Sequence, residues 1–574
     1  MVIYRNNLTF HLPYGIFIDK KIFNLQTKRT NMKRLILLVQ ILLVSAALKA
    51  QPFNDGLKAL DFEKYESARN IFTSLIQKEP NYGEAYYYLG QSYNNLFKPD
   101  SAFITYNKGI AAAPKTPQLY AGLGELLLQD GKTAEAQVQF DKALVLCKDK
   151  YGEYNNAKGL VTIASGMIAG ENKLLAQASA LMEEAYKISK TDYDVLTTAG
   201  DVYLEMADGS KAATFYNRAT IHDPNRPKAF AKIALIWIRV KNLQVAKEAL
   251  DTAFAKDPNY ATAFKNQAEF YSVQRKFALA KESYKNYLKN SEVSSANQMR
   301  FAIILFRAKE YAEALVNIEE AKNSDKTHNI YLNRLYAYAS YEASNLKNDQ
   351  EGFKKGLVAL ETLMSTIASE KITETDYEYL GKLQSKIPGK DSLALVNLQK
   401  SLSMNTNKTE IKIEIAKIYD KQKKYELAAV TFEEYLNTAK KITVTDNYTM
   451  GNYYNKAKMY EKADTAFLKV NNALPTYGDA WFQRAVINAS IDSLWKKTTA
   501  KELFEKYIEI STADTVKFNQ FKASLSKNIA IAYDYLGSYY YQKDMLTECK
   551  AMYRKALEYN PNNQNAINVL KSLK

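Results

Sequence analysis

Few side chains in this 574-residue chain are suited to covalent or acid-base chemistry: His11, His222, His328, Cys147 and Cys549 make up the whole stock of His and Cys. No two histidines stand at the HExxH spacing that turns a pair of imidazoles onto one helical face, so no metal site is expected. His222 and His328 read as solvated turn residues. Gly131-Lys132-Thr133 has the ending of a phosphate loop, but Leu126 stands where that loop requires a glycine, and a helix rather than a strand precedes it. Neither a nucleophile elbow nor a dinucleotide-binding fingerprint occurs. These observations point to a non-enzymatic chain that needs no cofactor.

What the residues do show is a period. Gly56, Gly90 and Gly124 are 34 residues apart, as are Ala68, Ala102 and Ala136, and the aromatic series Phe72, Tyr106 and Phe140. After an insertion around 148–158 the register returns with Gly166, Gly200, Ala234, Ala268 and Ala302, and with Ala178, Ala212, Ala246, Ala280 and Ala314. Within one period, Tyr86, Leu89, Gly90 and Tyr93 have helical spacing, Lys98-Pro99-Asp100 makes a turn, and a second helix runs on to Pro114. Small residues let two helices cross closely, and aromatics fill the flanks. Such a hairpin cannot bury its apolar face alone, so it must stack on its neighbours.

Residues 83–114 resemble the tetratricopeptide repeat. Leu89, Gly90, Tyr93, Ala102 and Pro114 match that pattern directly, Tyr86 stands in place of its Trp and Tyr106 in place of its Phe. The resemblance implies an all-α, right-handed superhelical solenoid of about fourteen hairpins in two arrays. The first array is expected over 51–322. Over 323–390 the pattern weakens to an irregular helical joint, with helices at Tyr331–Tyr341 and Phe353–Met364 and a long spacer between them. The second array is expected over 391–574; Tyr377-Leu380-Gly381 already restores the pattern, full matches follow at Gly451 to Pro475 and Tyr533 to Pro561, and a polar closing helix ends the chain. Turns such as Asp223-Pro224-Asn225 and Asp257-Pro258-Asn259 recur between hairpins; Pro is expected to stop one helix and Asn to cap the next. In this frame Cys549 replaces a small helix residue and reads as a packed thiol. Cys147 lies about eleven hairpins away, beyond disulfide reach.

Composition agrees with a folded helical array: 47% of residues are apolar, 24% charged, and Gly and Pro number only 21 and 12. The formal charge is +16, but residues 1–50 carry eight Lys or Arg against one Asp, leaving +9 dispersed over the remainder. Without an Arg-rich block or a DNA-reading helix pair, that excess reads as solvated surface, and no nucleic-acid partner is expected. Residues 1–31 lack the register and read as an unstructured extension, with Met32 an alternative start. Residues 32–50 have a basic Lys33-Arg34 pair, the apolar run Leu35 to Leu48 and small residues before Gln51, the three regions of a secretory signal peptide. Export to the periplasm or cell envelope is the expectation, with cleavage after Ala47 or Ala50 and no transmembrane anchor left in the mature chain.

The resemblance also implies protein recognition through a concave face lined by the first helix of each hairpin. Register then nominates Tyr87, Gln91, Asn94, Asn95 and Glu125 in hairpins 2 and 3, and Asp194, Asp201 and Glu205 in hairpin 5. Leu235, Ile238, Met299, Ile303 and Phe306 follow in the middle, and Tyr448, Asn452, Asn455, Asp534 and Tyr541 near the end. The expected partners are other proteins of the envelope. The alternative is a cell-wall glycan held by the groove Tyr and Asn residues.

Overall fold

The computed structural model describes residues 51–573 except 325–329, 493 and 514. His11, His328 and the signal segment lie outside the described residues. Helices come in consecutive pairs, fourteen among the described residues, and the only β feature there is an isolated bridge between Lys148 and Tyr154. The chain divides between residues 327 and 328 into two compact units.

The first unit holds eight hairpins. Hairpin 1 pairs α1 (51–61) with α2 (Tyr65–Lys78), hairpin 2 α3 (Gly83–Asn95) with α4 (Pro99–Ala112), and hairpin 3 α5 (Pro117–Gln129) with α6 (Thr133–Val145). Hairpins 4 and 5 are α7 (Ala157–Met167) with α8 (Leu175–Ile188), and α9 (Tyr193–Glu205) with α10 (Gly209–His222). Hairpins 6 to 8 are α11 (Pro227–Arg239) with α12 (Leu243–Lys256), α13 (Ala261–Val273) with α14 (Phe277–Asn290), and α15 (Ser295–Arg307) with α16 (Tyr311–Ser324). His222 is thus the last residue of a helix, not a turn residue.

The period has a concrete cause. A Cβ placed on Gly90 would come within 2.1 Å of the Tyr106 ring; on Gly124, within 2.6 Å of Phe140; on Gly200, within 2.3 Å of Tyr216. In hairpins 2, 3 and 5 the glycine of the first helix is the seat for the aromatic ring of the second. The small residues Ala102, Ala136, Ala178, Ala212, Ala246 and Ala280 are fully buried.

A second regularity escaped the sequence. In seven of the eight hairpins the residue two past the first helix is left-handed: Glu63, Phe97, Gly131, Ala207, Lys241, Arg275 and Lys309 all have φ between 56° and 78°, while in hairpin 4 the left-handed residue is Gly170, three past α7. Around Phe97 the N–H of Phe97 donates to the Asn94 carbonyl (3.0 Å) and that of Lys98 to the Tyr93 carbonyl (2.9 Å), the paired bonds of a Schellman motif. Glycine, the residue that announces this stop, fills few of the positions. The inter-hairpin turns also work differently from expectation. Asn225 and Asn259 do not cap the next helix; their N–H groups donate to the Asp223 and Asp257 carboxylates two residues earlier, and the N-caps are Arg226 and Tyr260.

First helices pack on the next hairpin's first helix as well as on their own partner: α3 on α5, α5 on α7, α7 on α9, α11 on α13. Successive second helices show no comparable contact among the described residues, which places the first helices on the inner side of the curve. Within this unit hairpin 1 also meets hairpins 7 and 8. The Glu292 carboxylate accepts from the backbone N–H groups of Glu66 (2.5 Å) and Ser67 (2.9 Å) and from Ser67 Oγ (2.8 Å), capping α2 from 225 residues away. Lys265 Nζ donates to Glu63 (2.8 Å), the Tyr287 hydroxyl also donates to Glu63, and the Phe62 ring lies edge-on to Tyr260 at 5.5 Å.

The second unit holds six hairpins: α17 (Tyr331–Lys347) with α18 (Gln350–Thr366), α19 (Glu374–Ser385) with α20 (Asp391–Met404), α21 (Ile411–Lys421) with α22 (Tyr425–Thr438), α23 (Val444–Lys456) with α24 (Tyr460–Ala473), α25 (Gly478–Ile491) with α26 (Thr499–Ala513), and α28 (Lys522–Gln542) with α29 (Leu546–Tyr559). The short α27 (Thr515–Gln520) precedes the last pair, and α30 (Gln564–Ser572) closes the array. No long spacer separates α17 from α18: left-handed Asn348 turns the chain and the Asp349 side chain caps α18. The polar stretch before α19 supplies a capping box, Thr373 with Asp376. Asp376, fully buried, also accepts two bonds from Arg334 (2.8 and 2.9 Å) and one from the Tyr338 hydroxyl (2.7 Å), which ties α17 to α19. No helix among the described residues is long and apolar enough to cross a membrane.

Candidate binding surface

On hairpins 2 and 3 the register brings Gln91, Asn94 and Glu125 together. The Glu125 carboxylate accepts from Gln91 Nε2 (2.7 Å), Asn94 Nδ2 (3.0 Å) and Gln129 Nε2 (3.4 Å), and Gln91 also donates to the Tyr106 hydroxyl (3.1 Å). No lysine or arginine pairs with this carboxylate among the described residues. Burial therefore pushes the Glu125 pKa above its ordinary value, against the pull of the Gln91 and Asn94 amides. Tyr87 is buried, its ring 4.9 Å from Tyr88 and 6.2 Å from Tyr106. Asn95 is exposed and bonds only the Gln91 carbonyl (2.9 Å).

Asp201 occupies the same register in hairpin 5 and finds the opposite environment. It accepts from the Tyr216 hydroxyl (2.5 Å) and from Lys232 Nζ (2.8 Å) of the next hairpin. Burial works to raise its pKa, but the charges of Lys232 and Lys228 and the two hydrogen bonds outweigh it, holding the carboxyl below its usual range. Asp194 stays largely exposed with Arg226 at 3.4 Å, and Glu205 pairs with Lys173. Ile238 lies in the core of hairpin 6, whereas Leu235, Met299, Ile303 and Phe306 are half-buried.

In the second unit Tyr448 is half-buried, wedged edge-on against Phe467 (5.3 Å) and Tyr477 (5.7 Å), with Asn452 and Asn455 half-buried on the same helix. Asp534 is taken up by the closing segment, accepting from Asn563 (2.9 Å) and Asn565 (3.1 Å), while Tyr541 is exposed. The polar positions nominated by register thus divide into those engaged between hairpins (Gln91, Glu125, Asp201, Asp534) and those open to solvent (Asn95, Asp194, Tyr541).

Register reasoning missed the equivalent positions of hairpin 10, α19 with α20, because that stretch had been assigned to a joint. There Lys382 pairs with Glu378 (2.5 Å), Lys408 reaches Glu378 (3.1 Å) and Thr375 (2.7 Å), and the Tyr338 and Tyr379 rings stack at 4.1 Å. Lys382 follows Gly381 as Gln91 follows Gly90, and that offset was the available signal. Both cysteines are buried; burial pushes the Cys147 thiol up to about 12 and that of Cys549 upward, so neither is poised as a thiolate.

Two units, each built of consecutive helical hairpins, define a helical-repeat protein. Tetratricopeptide-repeat models match residues 53–117 and 530–563, so the chain carries tetratricopeptide repeats in both units. Among solved structures, it is similar to the C-terminal part of a TPR repeat-containing protein from Cytophaga hutchinsonii, at 26% identity over 47% of this chain and 99% of that one, with a TM-score of 0.40. A tetratricopeptide repeat protein from Parabacteroides merdae is also similar, at 14% identity over 47% of this chain and 98% of that one, with a TM-score of 0.32. No curated protein matches.

Proposed function

We propose that this chain is an exported, non-enzymatic scaffold of the cell envelope that docks segments of partner proteins along the first-helix face of its hairpins. The observation that carries the reading is the packing of first helix on first helix within each unit, as in α3–α5–α7–α9, α11–α13 and α17–α19–α21, in a chain that carries interaction repeats. That surface presents exposed and half-buried Asn, Asp and Tyr side chains. Export is supported by the pattern of residues 32–50.

Two variants test the reading without touching the core: Asn95, Asp194 and Glu205 changed together to Ala, and separately Asn452, Asn455 and Tyr541. Capture of envelope proteins by the mature chain should fall in one or both while thermal unfolding is unchanged. Loss confined to soluble cell-wall glycans would favour the carbohydrate alternative. Full capture in both variants would move the site off the first-helix face.

A further inference from the structure

Hairpin 7 departs from the repeat at two positions, and both departures reach hairpin 1. Seven residues past the buried alanine of the second helix, hairpins 2 to 6 and hairpin 8 carry Gly109, Ala143, Ala185, Ala219, Ala253 and Ala321; hairpin 7 carries Tyr287. The Tyr287 side chain is fully buried and its hydroxyl donates to Glu63. Glu292 stands 34 residues after Pro258 and 68 after Pro224, in the place of the turn proline. Its carboxylate caps α2 at Glu66 and Ser67, and its own N–H donates to the Glu63 carbonyl (3.3 Å). The other hairpins of the first unit stack without either side chain.

What these residues hold is a short linear element, Asp61-Phe62-Glu63 followed by the first turn of α2. Asp61 accepts from the Tyr260 hydroxyl (3.3 Å), with Lys228 Nζ at 3.9 Å. The Phe62 ring packs among Ala231, Tyr260 and Ala263 of hairpins 6 and 7. Glu63 takes the Lys265 ammonium (2.8 Å), and Glu292 takes the free N–H groups that every helix start presents. Three successive side chains and a helix start are thus each read by their own partner. Hairpins 6 to 8 are stacked on their sequence neighbours, so they stand without this element. Its ion pairs are partly exposed, and such pairs contribute little each. An element that is contiguous in sequence and lightly anchored is one that a segment of another chain can replace. We propose that this surface of hairpins 6 to 8 is a recognition site for an acidic–aromatic–acidic segment that opens a helix in a partner protein, and that hairpin 1 occupies it in cis until such a segment displaces it. The site rests on the scaffold reading, which it deepens by naming the kind of segment the partner carries.

Fluorescence anisotropy on the mature chain with a labelled synthetic peptide spanning residues 59–70 tests the site. Phe62→Ala together with Glu63→Gln in the chain empties the site in cis. Hairpin 1 keeps its own core of Phe53, Ala68, Phe72 and Leu75 in that variant, and circular dichroism checks its fold. The peptide should bind the emptied variant at least about tenfold more tightly than wild type, because cis occupancy lowers the fraction of chains able to bind. A peptide carrying Asp61→Asn, Phe62→Ala and Glu63→Gln should bind the emptied variant at least about fivefold more weakly than the unaltered peptide. In wild type, an excess of the unaltered peptide should speed amide exchange over residues 62–67, a readout that needs no variant to fold. Equal binding by wild type and emptied variant, equal binding of the two peptides, or unchanged exchange in wild type overturns the site. Envelope capture keeps the two readings apart: a peptide that fails these tests while the chain still captures envelope proteins removes the site and leaves the scaffold. A wild type that captures nothing removes the scaffold, while the peptide still decides the site.

Discussion

Glu125 and Asp201 stand at one position of the repeat, each one residue past a glycine, yet their surroundings give them opposite titration behaviour. A carboxylate held by amides alone is easier to protonate in the folded chain than in the unfolded one, whose value is about 4.3. The native state then binds more protons between the two values, so stability falls as pH rises through that window. Wild type should gain stability relative to Glu125→Gln as pH is lowered from neutrality toward 4, read from urea midpoints of both proteins; a difference flat with pH would contradict the environment described. For Asp201 the sign reverses, because its lowered pKa contributes stability that is lost as pH falls through the folded value. The glycine seats give a second residue-scale expectation. Gly90→Ala drives a methyl into the Tyr106 ring and should cost about 1–3 kcal/mol. Gly209→Ala, in open space at the start of α10, should be neutral or stabilise by about 0.4–1 kcal/mol. Thermal unfolding of the two variants checks both. The types and register of these residues were legible in the sequence. Their engagement was not, because Tyr106 meets Gln91, and Tyr216 and Lys232 meet Asp201, from other helices 15 to 31 residues on.

Each hairpin as an element depends on two devices, of which the sequence displayed one. Small residues at 34-residue spacing revealed the crossing, and Ala212→Phe, Ala246→Phe and Ala280→Phe should each destabilise by roughly 1–3 kcal/mol, since all three sites are fully buried. Differential scanning calorimetry unchanged in all three would refute the register. The left-handed stop stayed hidden because Lys241, Arg275 and Lys309 occupy positions where glycine is the usual marker. An L residue there costs about 1–2 kcal/mol, partly offset by the lower backbone freedom it has when unfolded. Lys241→Gly and Arg275→Gly should therefore leave stability unchanged or raise it by up to about 1 kcal/mol, whereas glycine in a helix interior costs about 1 kcal/mol. A clear loss in both variants would mean the turns are not left-handed. The expected long spacer between α17 and α18 failed for a related reason: Asn348 and Asp349 make the whole turn, and the helices on either side run longer than the apolar pattern alone suggests.

Across the molecule, repeat arrays are held by nearest neighbours, so a contact between hairpin 1 and hairpins 7 and 8 changes how the first unit responds to damage. No periodicity could disclose Glu292 as the cap of α2, since the two are brought together only by the curvature of the intervening hairpins. Glu292→Ala should cost about 1–2 kcal/mol, the range of a lost helix cap. Amide exchange should rise in residues 62–70 as well as near the substitution; faster exchange near residue 292 alone would show that the contact carries no stability. The central claim is that partners lie along the first helices. Photo-crosslinking residues placed in the living cell at Asn95, Asp194 and Asn452 on first helices, and at Val138, Val316 and Val430 on the exposed faces of second helices, test it most directly. Protein adducts should form from the first-helix positions and be weak or missing from the others. Adducts confined to the second-helix positions would contradict the account.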